Sequence, residues 1–153
     1  MPDTITFKIK RQDSESSGSY WETFVIPHVP NSNVISCLMD IQANPENSKG
    51  EKVAPVVWEC NCLEEVCGSC TMVINRKVRQ SCSALVDQLE KPITLEPMSK
   101  FPVVRDLAVD RSRMFGALKK VRPGSQQTAT TILDPESVNL KIIRKLPTNF
   151  LSA

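Results

Sequence analysis

At 153 residues the chain has room for one domain with a real core, or for a domain plus an appendage. Nineteen Lys and Arg against seventeen Asp and Glu leave a net charge of +2, too near neutral for a dedicated nucleic-acid binder. No uncharged apolar run approaches the roughly 18 residues of a transmembrane helix, and "MPDTITFKIKRQD" lacks the basic start and apolar stretch of a secretory signal. The six cysteines are therefore expected in a reducing cytosol, which favours metal ligation over disulfides.

"TITFKIK", from Thr4 to Lys10, alternates Ile5, Phe7 and Ile9 with polar residues, the period-two pattern of a half-buried strand. A turn-like "QDSESSGS" and a second strand, "YWETFVIP", complete a hairpin. In "NVISCLMDIQAN", Val34, Cys37, Leu38 and Ile41 fall at i, i+3, i+4 and i+7, one apolar helical stripe with Ser32 or Asn33 as N-cap. Pro45 disfavours helical geometry at Asn44 and ends the helix there. Val56, Val57 and Trp58 suggest a strand beside the core, closed by Cys60.

Beyond the cysteine-rich loop, "CTMVIN" and "KVRQSC" read as short strands joined at Asn75-Arg76. A two-residue hairpin needs positive φ at its centre, so Arg76 is either strained or part of a longer turn. "SALVDQL" reads as a short helix and "PITLEPM" as the last strand. "FPVVRDLAVDRSRMFGALKKV" gives an extended segment, then a helix from about Arg111 capped by Asp110. The order of elements points to an α+β fold, one helix on a small mixed sheet.

Four of the six cysteines lie in "CNCLEEVCGSC". Cys62, Cys67 and Cys70 stand as C-x4-C-x2-C, with Cys82 eleven residues beyond, the plant-type ferredoxin spacing for a [2Fe–2S] cluster. A loop around such a cluster turns its sulfurs and amides inward, in conformations that Gly68 reaches and bulky residues resist. A structural zinc site, the alternative, favours paired C-x2-C knuckles, and only one such pair exists here. Cys60 would stretch the first gap to x6 and is read as a small residue beside the loop; Cys37, on the helical stripe, is core. His28 is read as a surface loop residue, and a Rieske site would need two histidines. Glu64 and Glu65 are exposed loop charges that oppose the addition of an electron, and no catalytic constellation accompanies them.

"NVISCLMDI", "CNCLEEVCGSCTMVIN", "RQSC", "ITLEPM" and "FPVVRDLAVDRSRMF" together closely resemble the iron–sulfur subunit of succinate dehydrogenase and fumarate reductase, in its Bacillus-like form. The resemblance runs from about Thr4 to Val121. It implies a β-grasp, plant-type ferredoxin-like domain over residues 1–107, then a C-terminal extension whose residues 108–122 lead toward a second domain. It assigns Cys62, Cys67, Cys70 and Cys82 as the [2Fe–2S] ligands, with no residue catalytic by itself. The implied role is electron transfer between an FAD-bearing flavoprotein subunit and a quinone-reducing membrane anchor, on the cytoplasmic face of the cell membrane.

The family's subunit also holds [4Fe–4S] and [3Fe–4S] clusters in a second domain, and no cysteine follows Cys82 to ligate them here. Contact with the anchor would then require that missing domain. In the family the helix near Val121 is followed by a segment resembling A-W-[IV]-P-x-D-G-x-Y-D-L-G-P-G. Codons for "RPGSQQTATTILDPE", read two bases out of register, permit every fixed position of it. Residues 123–153 are accordingly expected to be a non-homologous tail, frameshift-derived or disordered. Two other readings are a split subunit whose "NLKIIRKLPTNFL" docks a separate chain, and a zinc-stabilised binding module.

Overall fold

The computed structural model describes residues 3–121, so the expectations for the tail from Pro123 onward lie outside the described residues. Two strands, β1 (Thr4–Arg11) and β2 (Tyr20–Pro27), form the expected antiparallel hairpin, with Phe7 opposite Phe24 and Ile5 opposite Ile26. Alternation decides the face: Ile5, Phe7 and Ile9 are fully buried between polar neighbours. β3 (Thr71–Ile74), β4 (Lys77–Gln80) and β5 (Ile93–Glu96) complete a mixed sheet of order β2-β1-β5-β3-β4, with β5 parallel to β1 and antiparallel to β3.

Helix α1 (Val34–Ala43) presents its stripe to this sheet, burying Val34, Cys37, Leu38 and Ile41 among Phe7, Phe24, Ile74, Ile93 and Leu95. Each such full burial is worth about 1.5–3 kcal/mol. Asn33 is the N-cap, its side chain accepting the Ser36 amide at 2.9 Å, and the helix stops at Ala43 as the approaching Pro45 requires. One helix lying across a five-stranded mixed sheet in this order is the β-grasp arrangement, an α+β fold.

Three details differ from the expectations. Val56, Val57 and Trp58 form no strand; the segment is held by Asp106 and Leu107, the Val57 amide donating to Asp106 Oδ2 at 2.9 Å and its carbonyl accepting the Leu107 amide at 3.1 Å. "SALVDQL" shortens to a single 3₁₀ turn, Val86–Gln88. The extended "FPVVRDLAV" folds on itself as β6 (Val103–Arg105) and β7 (Ala108–Val109), turning through Asp106 at φ 47°. The first compact unit ends at Arg111, and helix α2 (Ser112–Val121) belongs to a second unit. Helix α2 begins at Ser112, close to the expected start at about Arg111.

Candidate metal centre

The β3–β4 hairpin sets the geometry of the site. Asn75 and Arg76 form its turn with φ of 46° and 66°, both left-handed, as a two-residue turn of type I′ demands. Arg76 is therefore the strained case of the two expected. Pairing of Thr71 with Gln80 then brings Ser81 across from Cys70. The buried Ser81 gives both its amide and its hydroxyl to the Cys70 carbonyl, at 3.2 and 2.9 Å. Cys82 follows directly and packs with Cys70 and Ile35 under Trp58. Asn33 ties the fourth cysteine to the helix cap, its Nδ2 donating to the Cys82 carbonyl at 3.0 Å.

The other two thiols meet within the loop. The Cys67 amide donates to Cys62 Sγ at 3.3 Å, and the Cys62 amide to Cys67 Sγ at 3.5 Å. Glu64 adds an amide to Cys62 Sγ and Ser69 one to Cys67 Sγ, each at 3.4 Å. Such inward amides require unusual backbone: Leu63, Glu65 and Gly68 all adopt positive φ, at 61°, 59° and 73°. Glycine was the expected device, and Gly68 supplies it; Leu63 and Glu65 do so against their side chains' preference, which no compositional signal betrays.

These contacts favour thiolate at one sulfur and burden another. Hydrogen bonds from Ser69 and from Cys62 hold the Cys67 thiol well below its ordinary value, at about 6. Burial pushes the Cys82 thiol up, Cys70 beside it and Cys62 adding to the effect, while the Glu65 amide works the other way. The four thiols therefore stand as two neighbouring pairs, Cys62 with Cys67 and Cys70 with Cys82. Among the described residues no group of three or more Cys, His, Asp or Glu forms a site for one metal ion. Two pairs are what a binuclear cluster uses, two ligands on each iron. Four sulfur donors, amides aimed at them and the buried Trp58 Nε1, which has no partner among the described groups, all fit such a group.

Cys60 is exposed, outside both pairs, and Cys37 is buried in the main core. The carboxylates of Glu64 and Glu65 are exposed as expected, though Glu65 also accepts the Ser83 hydroxyl at 2.8 Å. His28 sits in a loop but is not idle: its Nε2 lies 2.6 Å from Asp87 Oδ1 and its side chain is 19% exposed. Two long-range contacts escaped sequence reasoning. Arg11, 1% exposed, grips Asp106 through Nε at 2.8 Å and Nη2 at 3.2 Å, and Glu22 through Nη1 at 2.6 Å. Arg111 reaches the Ser69 carbonyl inside the loop at 2.7 Å. A charged residue closing a strand and another after a hairpin carry no local mark of these distant partners.

Residues 6–116 match the family described as the 2Fe-2S iron-sulfur cluster binding domain. The chain is 66% identical over 119 residues to the succinate dehydrogenase iron-sulfur subunit of Bacillus subtilis, a stretch covering 78% of this chain and 47% of that one. It is 30% identical over 125 residues to the fumarate reductase iron-sulfur subunit of Mycobacterium tuberculosis, covering 80% and 48%. The chain thus spans about half the length of these relatives. In fold it is similar to a chain of the Mycobacterium smegmatis Sdh1 complex in the apo form, with a TM-score of 0.65 at 22% identity, over 82% of this chain and 48% of that one. With the cysteine spacing, the paired thiols and the family match all in place, the chain belongs to the 2Fe-2S iron-sulfur cluster binding domain family.

Proposed function

We propose that this chain carries electrons as the cluster-bearing part of a succinate dehydrogenase or fumarate reductase iron–sulfur subunit, with Cys62, Cys67, Cys70 and Cys82 as ligands. The observation that carries the reading is the convergence of Cys82 on the loop, where it packs with Cys70 beneath Trp58. When bound, a [2Fe–2S] group supplies reversible one-electron transfer. The chain's own residues do the rest. Cys62 and Cys67 present their sulfurs within a shell of backbone amides, Ser81 locks Cys70 to the strand that delivers Cys82, and Trp58 covers the buried pair.

The similarity to the Bacillus subtilis subunit supports placement between a flavoprotein subunit that handles succinate or fumarate and a quinone-reducing membrane anchor. In this reading attachment to the cytoplasmic face of the membrane is peripheral, through those partners; no helix among the described residues is long and apolar enough to cross a membrane.

Iron and acid-labile sulfide analysis of the purified chain, with an electron paramagnetic resonance (EPR) spectrum after reduction, tests the reading. Two irons and two sulfides per chain are expected from the cluster's composition. Serine at Cys62, Cys67, Cys70 or Cys82 should abolish or distort the signal, whereas Cys37→Ser and Cys60→Ser should keep it. Zinc without sulfide would overturn the redox role, and loss of the signal in Cys60→Ser would overturn the ligand assignment.

A further inference from the structure

Arg111 closes the first compact unit, and its guanidinium enters the cysteine loop. Its Nη2 donates to the Ser69 carbonyl at 2.7 Å and lies 3.4 Å from Glu59 Oε2. The side chain is only 16% exposed, and its Nε is buried with no partner among the described groups. Ser69 is held at both ends: the residue whose carbonyl Arg111 grips gives its amide to Cys67 Sγ at 3.4 Å. One residue therefore separates a permanent cation from a ligand sulfur. The loop is otherwise acidic, with exposed carboxylates at Glu59, Glu64 and Glu65.

We propose that Arg111 is a positioning residue that sets how readily the cluster accepts an electron. The inference rests on the four-cysteine reading above. Four thiolates around the oxidised core carry net negative charge, and the incoming electron adds one more. A nearby cation stabilises the reduced form more than the oxidised form. Arginine keeps its charge throughout the accessible pH range, and partial burial limits screening by salt. The planar fork has a second effect, because it pins Ser69 and so the direction of the amide that meets Cys67. Glu59, on the same guanidinium, offsets part of the charge.

The test is a potentiometric titration of the full chain carrying its cluster, with dithionite as the one-electron donor and EPR as the readout. Arg111→Gln should lower the midpoint by about a tenfold change in the reduction equilibrium, 59 mV for a one-electron couple. Arg111→Lys, which keeps the charge and loses the fork, should fall by much less. Glu59→Gln, which frees the guanidinium without removing it, should raise the midpoint. A wild-type midpoint in Arg111→Gln overturns the proposal. So does an equal fall in both Arg111 variants, since loop geometry alone would then explain it. Where Arg111→Gln fails to hold the cluster, an unchanged midpoint in Glu59→Gln overturns it. Failure of the underlying reading looks different: the wild-type chain itself would carry no iron and sulfide.

Discussion

Asp87 shows how a single exposed residue can join three elements. Its carboxylate accepts the Asn31 amide at 2.8 Å and lies 2.6 Å from His28 Nε2, so the end of β2, the turn before α1 and the 3₁₀ turn share one acceptor. The Asn31 amide, then His28, holds the Asp87 carboxyl below its usual 3.8. A carboxyl depressed in the folded state contributes stability that is full above the unfolded value and fades as pH falls below it. Asp87→Asn should therefore unfold at lower urea than wild type near neutral pH, and the gap should close as pH drops below 3.8. A gap that stays constant with pH would assign the effect to packing instead. Asn31 itself sits at φ 61°, a left-handed conformation that asparagine tolerates better than most residues.

At the scale of elements, the β3–β4 hairpin matters most, because its register decides where Cys82 arrives. A one-residue slip would turn every side chain of the slipped strand to the opposite face and carry Cys82 away from Cys70. Asn75 guards against this: its amide donates to the Thr94 carbonyl at 3.0 Å, its Oδ1 accepts the Thr94 amide at 2.8 Å, and its Nδ2 donates to the Glu90 carbonyl at 2.8 Å. Arg76 bears the strain of the turn without such compensation, exposed at φ 66°. Arg76→Gly should stabilise the domain by about 1 kcal/mol, the ordinary cost of a left-handed L-residue. Denaturation midpoints check this, and a loss of stability would mean that the arginine side chain has a role of its own.

Across the whole molecule, the segment entering the cysteine loop is held by the buried Arg11–Asp106 pair rather than by a strand. Asp106, fully buried, accepts from the Gln12 and Val57 amides as well as from Arg11, and Arg11 also donates to the Ala54 carbonyl at 3.0 Å. Three distant parts of the chain meet there: the end of β1, residues 54–57 and the β6–β7 turn. Removing one partner of such a pair leaves a buried charge uncompensated. Asp106→Ala should cost about 3–5 kcal/mol in urea denaturation, a large share of a domain's marginal stability. A cost below about 1 kcal/mol would show that Arg11 finds water or Glu22 instead.

Local pattern was enough for much of this. The alternation of Ile5, Phe7 and Ile9, the stripe of α1, the stop before Pro45 and the spacing of Cys62, Cys67, Cys70 and Cys82 are all short-range facts. They determined the α+β class and singled out four thiols, which the structure sets in two pairs, Cys62 with Cys67 and Cys70 with Cys82. Ile35 lay just off the stripe and went unmarked, yet it packs on Cys70 and Cys82. What only the tertiary structure decided depends on residues far apart in sequence: the packing of Cys82 on Cys70, the anchoring of Val57 by Asp106 and the approach of Arg111 to Ser69. A hydrophobic period repeats along the chain and can be read there. A single hydrogen bond or ion pair between distant residues has no period, and exists only once the core has folded them together.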